Sequence, residues 1–168
     1  MNSQQIKEIL LSEIHEVSIN YEKYCNDPKR DFSRKRKLPF ELMLKNIIGM
    51  GSKSITNELI DIFQASGEMP SASAFVQQRT KIRPEALKAV FDGFMSRILA
   101  SADKMRILAV DGSDIQIETN PKDKTSHIST SIDKKSFNLL HLNALYDLEE
   151  HVYTDAIIQA AKSQNEHG

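Results

Sequence analysis

Three groups of residues in this chain have the types and spacing to do chemistry. The first is Asp111, in AVDGSDI at 109–115, a carboxylate set within the apolar, β-branched run RILAVDGSDIQIE. A carboxylate inside a strand is tolerated only if it is paired, hydrogen-bonded or metal-bound, because isolated burial is very unfavourable. Its hard oxygen donors suit Mg²⁺ or Mn²⁺. Asp114 lies three residues on and falls on the opposite face of a regular strand. The two could share an ion only across a bulge, which Gly112 would permit. The competing reading is an Asp-Gly turn, with AVDG and SDIQI as the two arms of a hairpin.

The second group is the run KRDFSRKRK, in which Lys29, Arg30, Arg34, Lys35, Arg36 and Lys37 stand against one acid, Asp31. Such a run can neutralise several phosphates in a sequence-independent, salt-sensitive way. Its plain alternative is a solvated linker between helices. The third group is Gln77, Gln78 and Arg79, on the second of two short helices that match a helix-turn-helix layout. Gln can bond adenine and Arg guanine in the major groove. The turn is long for that motif, however, and an ordinary helical bundle fits the same pattern.

Other polar residues are weaker candidates. Asp147, followed by Leu-Glu-Glu, most simply caps a turn, and Asp155 precedes an apolar run at a strand edge. Glu149 and Glu150 read as solvated. His141, in LLHLNAL, has no second His or Cys at metal-ligand spacing, which argues against zinc. No phosphate-cradling glycine loop and no Ser or Cys nucleophile motif is present.

The elements that must position these residues follow from periodicity. Residues 3–24 place Ile6, Ile9, Leu10, Ile14, Val17 and Tyr21 on one helical stripe, ended by Asn26-Asp27-Pro28. Pro39 opens a mostly apolar, buried helix that Gly49 and Gly51 close. Ser54 or Ser52 caps ITNELIDIFQ, and Ser71 or Ser73 caps ASAFVQQRTKI. Pro84 starts PEALKAVFDGFMSRILAS, with Leu87, Val90, Phe91, Phe94, Ile98 and Leu99 as its inner face. After residue 106 the texture turns to strands: RILAVDGSDIQIE, a polar loop over 119–136, FNLLHLNALYD, a tight LEEH connection and VYTDAIIQA. The expected class is therefore α+β, with a helical domain over 1–104 and a sheet domain over 105–168.

Bulk properties agree with a soluble globular chain. Of 168 residues, 40% are hydrophobic and 27% charged, and Trp is absent. The net charge of −1 hides an asymmetry: residues 1–105 carry 16 Lys/Arg against 13 Asp/Glu, and residues 106–168 carry 6 against 10. No apolar run is long enough for a membrane span. The N-terminus resembles neither a secretory signal nor a transit peptide, and Cys25 is the single cysteine. A cytoplasmic location is the expectation.

Taken in order, FSRKRKLPFELMLKNIIGMGSKSITNELIDIF, PSASAFVQQRTKI, RILAVDGSDIQI, FNLLHLNALYDL and VYTDAIIQ resemble the N-terminal half of insertion-sequence transposases with a DDE domain, of the fourth-group type. The likeness spans roughly residues 30–167. It implies a helical DNA-binding domain followed by a ribonuclease-H-like catalytic domain, here represented by its first three strands. The family's first catalytic, metal-binding Asp corresponds to Asp111; Asp114 has no part in its triad. The second and third strands would be about 137–148 and 151–160, and NEHG at 165–168 would begin the next helix. The family's second Asp and its Glu have no counterpart in these residues. The chain is thus expected to be a partial transposase, inactive alone, since one carboxylate cannot organise the two Mg²⁺ or Mn²⁺ ions of the intact enzyme. The expected partner is double-stranded DNA at transposon ends; assembly into a homo-oligomer is left open. The alternative is a non-catalytic DNA-binding module of the same descent.

Overall fold

The computed structural model describes residues 2–34, 37–100, 106–129 and 135–160. The chain divides into two compact units, Met1–Ala102 and Asp103–Gly168, each with its own internal contacts. The class is α+β: among the described residues the first unit is helical and the second is an antiparallel sheet. None of the described helices is long and apolar enough to cross a membrane.

Among the described residues the first unit has five α-helices, α1 (Ser3–Ile19), α2 (Phe40–Gly49), α3 (Ile55–Phe63), α4 (Ala72–Arg79) and α5 (Glu85–Leu99). A capping box starts α1: the Asn2 side chain accepts from the Gln5 amide and the Gln5 side chain accepts from that of Asn2, both at 2.9 Å. The α-helix stops at Ile19, earlier than periodicity suggests, and Tyr21–Tyr24 continue as a 3₁₀ turn. Pro39 is the N-cap of α2 and not its first helical residue. Of the alternative caps, Ser54 and Ser71 are used, accepting from Asn57 and Ala74. Glu58 ties the loop ahead of α3 by accepting from the Gly51 and Lys53 amides at 3.1 and 2.9 Å.

Two apolar clusters hold this unit together. Ile14, Val17, Phe40, Leu44, Ala86 and Val90 join α1, α2 and α5. Leu38, Met43, Leu59 and Phe75 join α2, α3 and α4. Phe40 and Leu44 sit at i, i+4 and face one cluster, while Met43 faces the other, so α2 is apolar nearly all round because it serves both. The inner face of α5 differs from the expected one. Ala86, Val90 and Met95 are buried, whereas Phe91 and Phe94 are only half-buried. The contact with α1 decides this phase. Glu13 of α1 is buried and ion-paired with Arg97, and its carboxylate lies over Gly93. A Cβ at Gly93 would collide with Glu13 Oε2, so any side chain there forces the buried carboxylate to move.

The second unit has strands β1 (Leu108–Ile117), β2 (His127–Ile128), β3 (Phe137–Asp147) and β4 (Val152–Ala160). β3 is central and antiparallel to all three others, with β1 along one edge and β2 and β4 along the other. β1 pairs with β3 without interruption from Leu108↔Asp147 to Ile117↔Asn138. This overturns the hairpin reading of AVDGSDI, and no bulge forms at Gly112; the register shift lies instead between Leu145 and Tyr146, in the pairing with β4. His151, at φ 55°, closes the tight turn from β3 to β4.

The segment expected to be a plain polar loop is organised by a buried side chain. Asn138, fully buried, accepts from the Asn120 amide and from His127 Nδ1, and donates to the Asn120 carbonyl and to Ser126 Oγ. Asp123 accepts from the hydroxyls of Ser126 and Thr125 and from the Thr125 amide, and these bonds lower its pKa to about 2. Asp147 caps the turn after β3, as its sequence context suggests, accepting from the amides of Glu149 and Glu150. The Arg106 guanidinium at 2.6 Å, then the backbone donors, hold Asp147 below the usual carboxylate range. Its contribution to stability is therefore present above the ordinary carboxylate pKa and is lost as pH falls through the lowered value.

Candidate functional site

The basic run begins in a loop whose geometry comes from Asp27. Its carbonyl accepts from the Arg30 and Asp31 amides at 3.1 and 2.8 Å, and its carboxylate accepts from the Lys29 amide at 3.1 Å. Asp31, nearly buried, returns a carboxylate oxygen to the Asp27 amide at 2.9 Å. Phe32, at φ 55°, turns its ring edge-on to Phe40 at 5.2 Å and anchors the loop to the core. A short antiparallel bridge, Cys25↔Ile82, fixes the other side. Asn26 donates to the Lys81 and Thr80 carbonyls, and the Arg83 amide donates to the Tyr24 carbonyl. The loop is thereby pinned beside the C-terminal end of α4.

Between loop and helix lies a cleft of about 510 Å³. Lys29, Arg30, Arg34 and Lys81 bring four positive charges to its lining, against Asp27 and Asp31. Both acids already accept backbone hydrogen bonds. Arg30 is 4.0 Å from Asp27. Lys29, Arg34 and Lys81 form no ion pair with any described residue.

The candidate residues separate into groups that sequence did not distinguish. Gln77 and Arg79 are exposed on α4. Gln78, expected to read bases beside them, is only 9% exposed and lines the cleft instead. Lys37 donates to the Gly67 carbonyl at 2.9 Å and stands 3.7 Å from Glu68, so it braces the α3–α4 connection. That connection, 64–71, passes through left-handed Gln64 and Ala65 and is longer than the turn of about 3–4 residues in a helix-turn-helix. Lys35 and Arg36 lie outside the described residues, as does the 165–168 segment. Lys81 was not a sequence candidate. Its signal is present, since it follows Gln78 by three residues on the same strip of chain, but only the bridge to Cys25 brings it against the basic loop.

Cys25 lies at the root of this strap and is buried. Desolvation first, then the negative charges of Asp31 and Glu22, push its thiol from 9.0 up to about 11, with Lys81 opposing. A raised pKa stabilises the fold fully below the ordinary thiol value and loses that contribution as pH rises towards the folded one. Between pH 9 and 11 the native chain is expected to lose about 2 kcal/mol more stability than Cys25→Ala, measured by urea unfolding at each pH. Equal pH slopes for the two proteins would show that the thiol is not held protonated by the fold.

Asp111 stands at the middle of β1, opposite Ala144, with its side chain exposed. Ala109, Ser113 and Ile115 share its face; Asp114, Asp147 and Asp155 fall on the other. Asp114 is engaged there by His141, Nδ1 to Oδ1 2.9 Å, and the imidazole packs so close over Gly112 that a Cβ would meet Nε2 at 3.0 Å. Among the described residues no group of three or more His, Cys, Asp or Glu could hold a metal ion. One carboxylate is not a donor set for Mg²⁺ or Mn²⁺, which take about six oxygen ligands. The described residues therefore do not fit the two-ion centre. No known protein family, curated protein or solved structure matches this chain.

Proposed function

We propose that this chain binds double-stranded DNA through its helical unit, as the N-terminal part of a DDE-type insertion-sequence transposase. The observation that carries the DNA reading is the pinned basic loop, where Lys29, Arg34 and Lys81 stand together with no described acidic partner. Four cations against two carboxylates leave this surface net positive, and a polyanion balances that excess while releasing its own counterions. Gln77 and Arg79, exposed on the adjacent helix, are the groups available to base edges. The ribonuclease-H-like part of the reading is supported by Asp111 at the centre of the first of three long antiparallel strands. Its face holds no second carboxylate from those strands, which favours the alternative in which these residues bind DNA without cutting it.

The test is a fluorescence-anisotropy titration of duplex DNA at several salt concentrations. Binding is expected to weaken steeply with salt. The triple variant Arg34→Ala, Lys35→Ala, Arg36→Ala is expected to lose at least about tenfold in affinity near 0.1 M salt and to flatten the log–log salt slope by about 2–3. Lys37 is left intact because it braces the α3–α4 connection. An unchanged affinity and slope would refute the reading. Duplex cleavage by this 168-residue chain with Mg²⁺, abolished by Asp111→Ala, would instead overturn its non-cutting form.

A further inference from the structure

We propose that the cleft between the basic loop and α4 is a built seat for one sugar–phosphate unit of a nucleic acid backbone, with Gln78 and Lys81 as its inner contacts. The inference rests on the DNA-binding reading and assigns it a specific contact, made by residues outside the basic run at 29–37.

Two independent observations point to a ligand. The first is shape and charge. A cleft of about 510 Å³ is far larger than a lone ion needs and falls within the usual range for small organic ligands. Its lining holds Lys29, Arg30, Arg34 and Lys81, while the carboxylates of Asp27 and Asp31 are occupied by backbone amides. Four cations against two carboxylates leave the concave lining net positive, which favours an anion with several oxygens. The second observation is Gln78. It is nine-tenths buried, it lines the cleft, and its Oε1 has no hydrogen-bond partner among the described residues. Buried polar groups are almost always satisfied, so an orphan at a cleft wall marks a place where something else bonds. An amide carries both donors and an acceptor and can be turned either way. A small side-chain rotation that brings the enclosed amide to the cleft surface lets it donate to a phosphate oxygen or accept from a sugar hydroxyl.

Backbone hydrogen bonds also tie the two walls of the seat together. The Cys25↔Ile82 bridge, the Asn26 bonds to the Thr80 and Lys81 carbonyls and the Asp27 turn fix both walls. A prearranged site spends little of its binding energy on ordering. A phosphate held there would set the register of the duplex against α4, where Gln77 and Arg79 are exposed.

The test uses the full chain and two substitutions outside the exposed run, Lys81→Met and Gln78→Leu, with circular dichroism confirming that each is folded. The small probe is deoxyadenosine monophosphate, followed by backbone amide shifts, with deoxyadenosine as the phosphate-free control and inorganic phosphate as the sugar-free one. Saturable shifts in residues 26–34 and 78–82 are expected with the nucleotide, weaker ones with phosphate alone and none with the nucleoside. Lys81→Met is expected to weaken the nucleotide at least fivefold. Should Gln78→Leu not fold, Lys81→Met alone decides this arm. Equal shifts with nucleoside and nucleotide, or no loss in Lys81→Met, would overturn the seat. In the duplex titration, both variants should bind several-fold more weakly. If they bind duplex as tightly as the native chain while the Arg34–Arg36 variant does not, the seat fails and the DNA reading stands. If no protein binds duplex although the nucleotide still occupies the cleft, the DNA reading fails and the backbone assignment of the seat is overturned with it.

Discussion

Phe75→Ala is expected to cost the helical unit about 3–5 kcal/mol, the largest loss of any single substitution in this chain. Phe75 is fully buried among Leu38, Met43 and Leu59, and it is the only apolar residue of α4 that is fully enclosed. The rest of that short helix offers little apolar area: Val76 is half-buried, Ala72 and Ala74 are small, and Gln78, though buried, is polar. Helices of this length are marginal alone, so α4 exists because one aromatic ring is held against α2 and α3. Removing the ring leaves a cavity that the surrounding Met43 and Leu59 fill only in part. For a unit whose total stability is expected to be about 5–15 kcal/mol, that loss is a large share. Urea unfolding followed at 222 nm measures it, and Phe75→Leu should recover most of it, to within about 1.5 kcal/mol of native. A loss below about 1 kcal/mol in Phe75→Ala would mean that α4 is not packed on this cluster. The substitution should also weaken duplex binding, since the loosened helix carries Gln77, Gln78 and Arg79.

The second large effect is expected at Asn138, in the sheet unit. Asn138→Leu keeps the branched heavy-atom skeleton but removes four hydrogen bonds at once. The Asn120 amide at 2.8 Å and His127 Nδ1 at 3.0 Å lose their acceptor. The Asn120 carbonyl at 3.1 Å and Ser126 Oγ at 2.8 Å lose their donor. Ser126 is fully buried and cannot turn to water, although it retains its 2.6 Å bond to Asp123. Each stranded buried group costs about 1–3 kcal/mol, and partial rehydration of the exposed Asn120 side lowers the sum to about 2–4 kcal/mol. Hydrogen exchange reads this directly: the Asn120 amide should lose protection in the variant while the amides in the middle of β3 keep theirs. Unchanged protection at Asn120 would show that the loop is held by something other than this side chain. The network also makes a statement about His127. To donate to the Asn138 oxygen, the imidazole must carry a proton on Nδ1, which nitrogen NMR can check.

Much of the architecture is legible in the chain. The switch at residue 106 from a period near 3.6 to an alternating, β-branched texture separates helices from strands, and the strands FNLLHLNALYD and VYTDAIIQA coincide with β3 and β4. Pro39, Ser54, Ser71 and Pro84 mark helix starts within a residue, because capping and φ restriction are local. The choice between one strand and a hairpin at Asp-Gly-Ser-Asp was not legible. A turn and a strand cost Gly112 about the same locally, and the unbroken pairing with Leu142, Asn143 and Ala144 of β3 tips the balance towards the strand.

The candidate site divides in the same way. Sequence places the cations, since Lys29, Arg30 and Arg34 are charged wherever the chain puts them. It cannot say which of them stay unengaged: Lys37 is taken up by Gly67 and Glu68, thirty residues away. Nor can it tell Gln77 from Gln78, adjacent residues of one type, of which one faces outward and the other is buried in the cleft wall. Helical periodicity fixes which residues share a face, and alternation does the same for Asp111 against Asp114. What it leaves free is the rotation of each face relative to its neighbours. That rotation is set by non-local contacts, Phe75 on Leu59, Glu13 over Gly93 and Asn26 to the Lys81 carbonyl, whose energies depend on residues brought together from distant parts of the chain. The order of elements and the supply of charge therefore come from the sequence by itself. The cleft, its orphaned amide and the isolation of Asp111 on its own face exist only once the chain is packed.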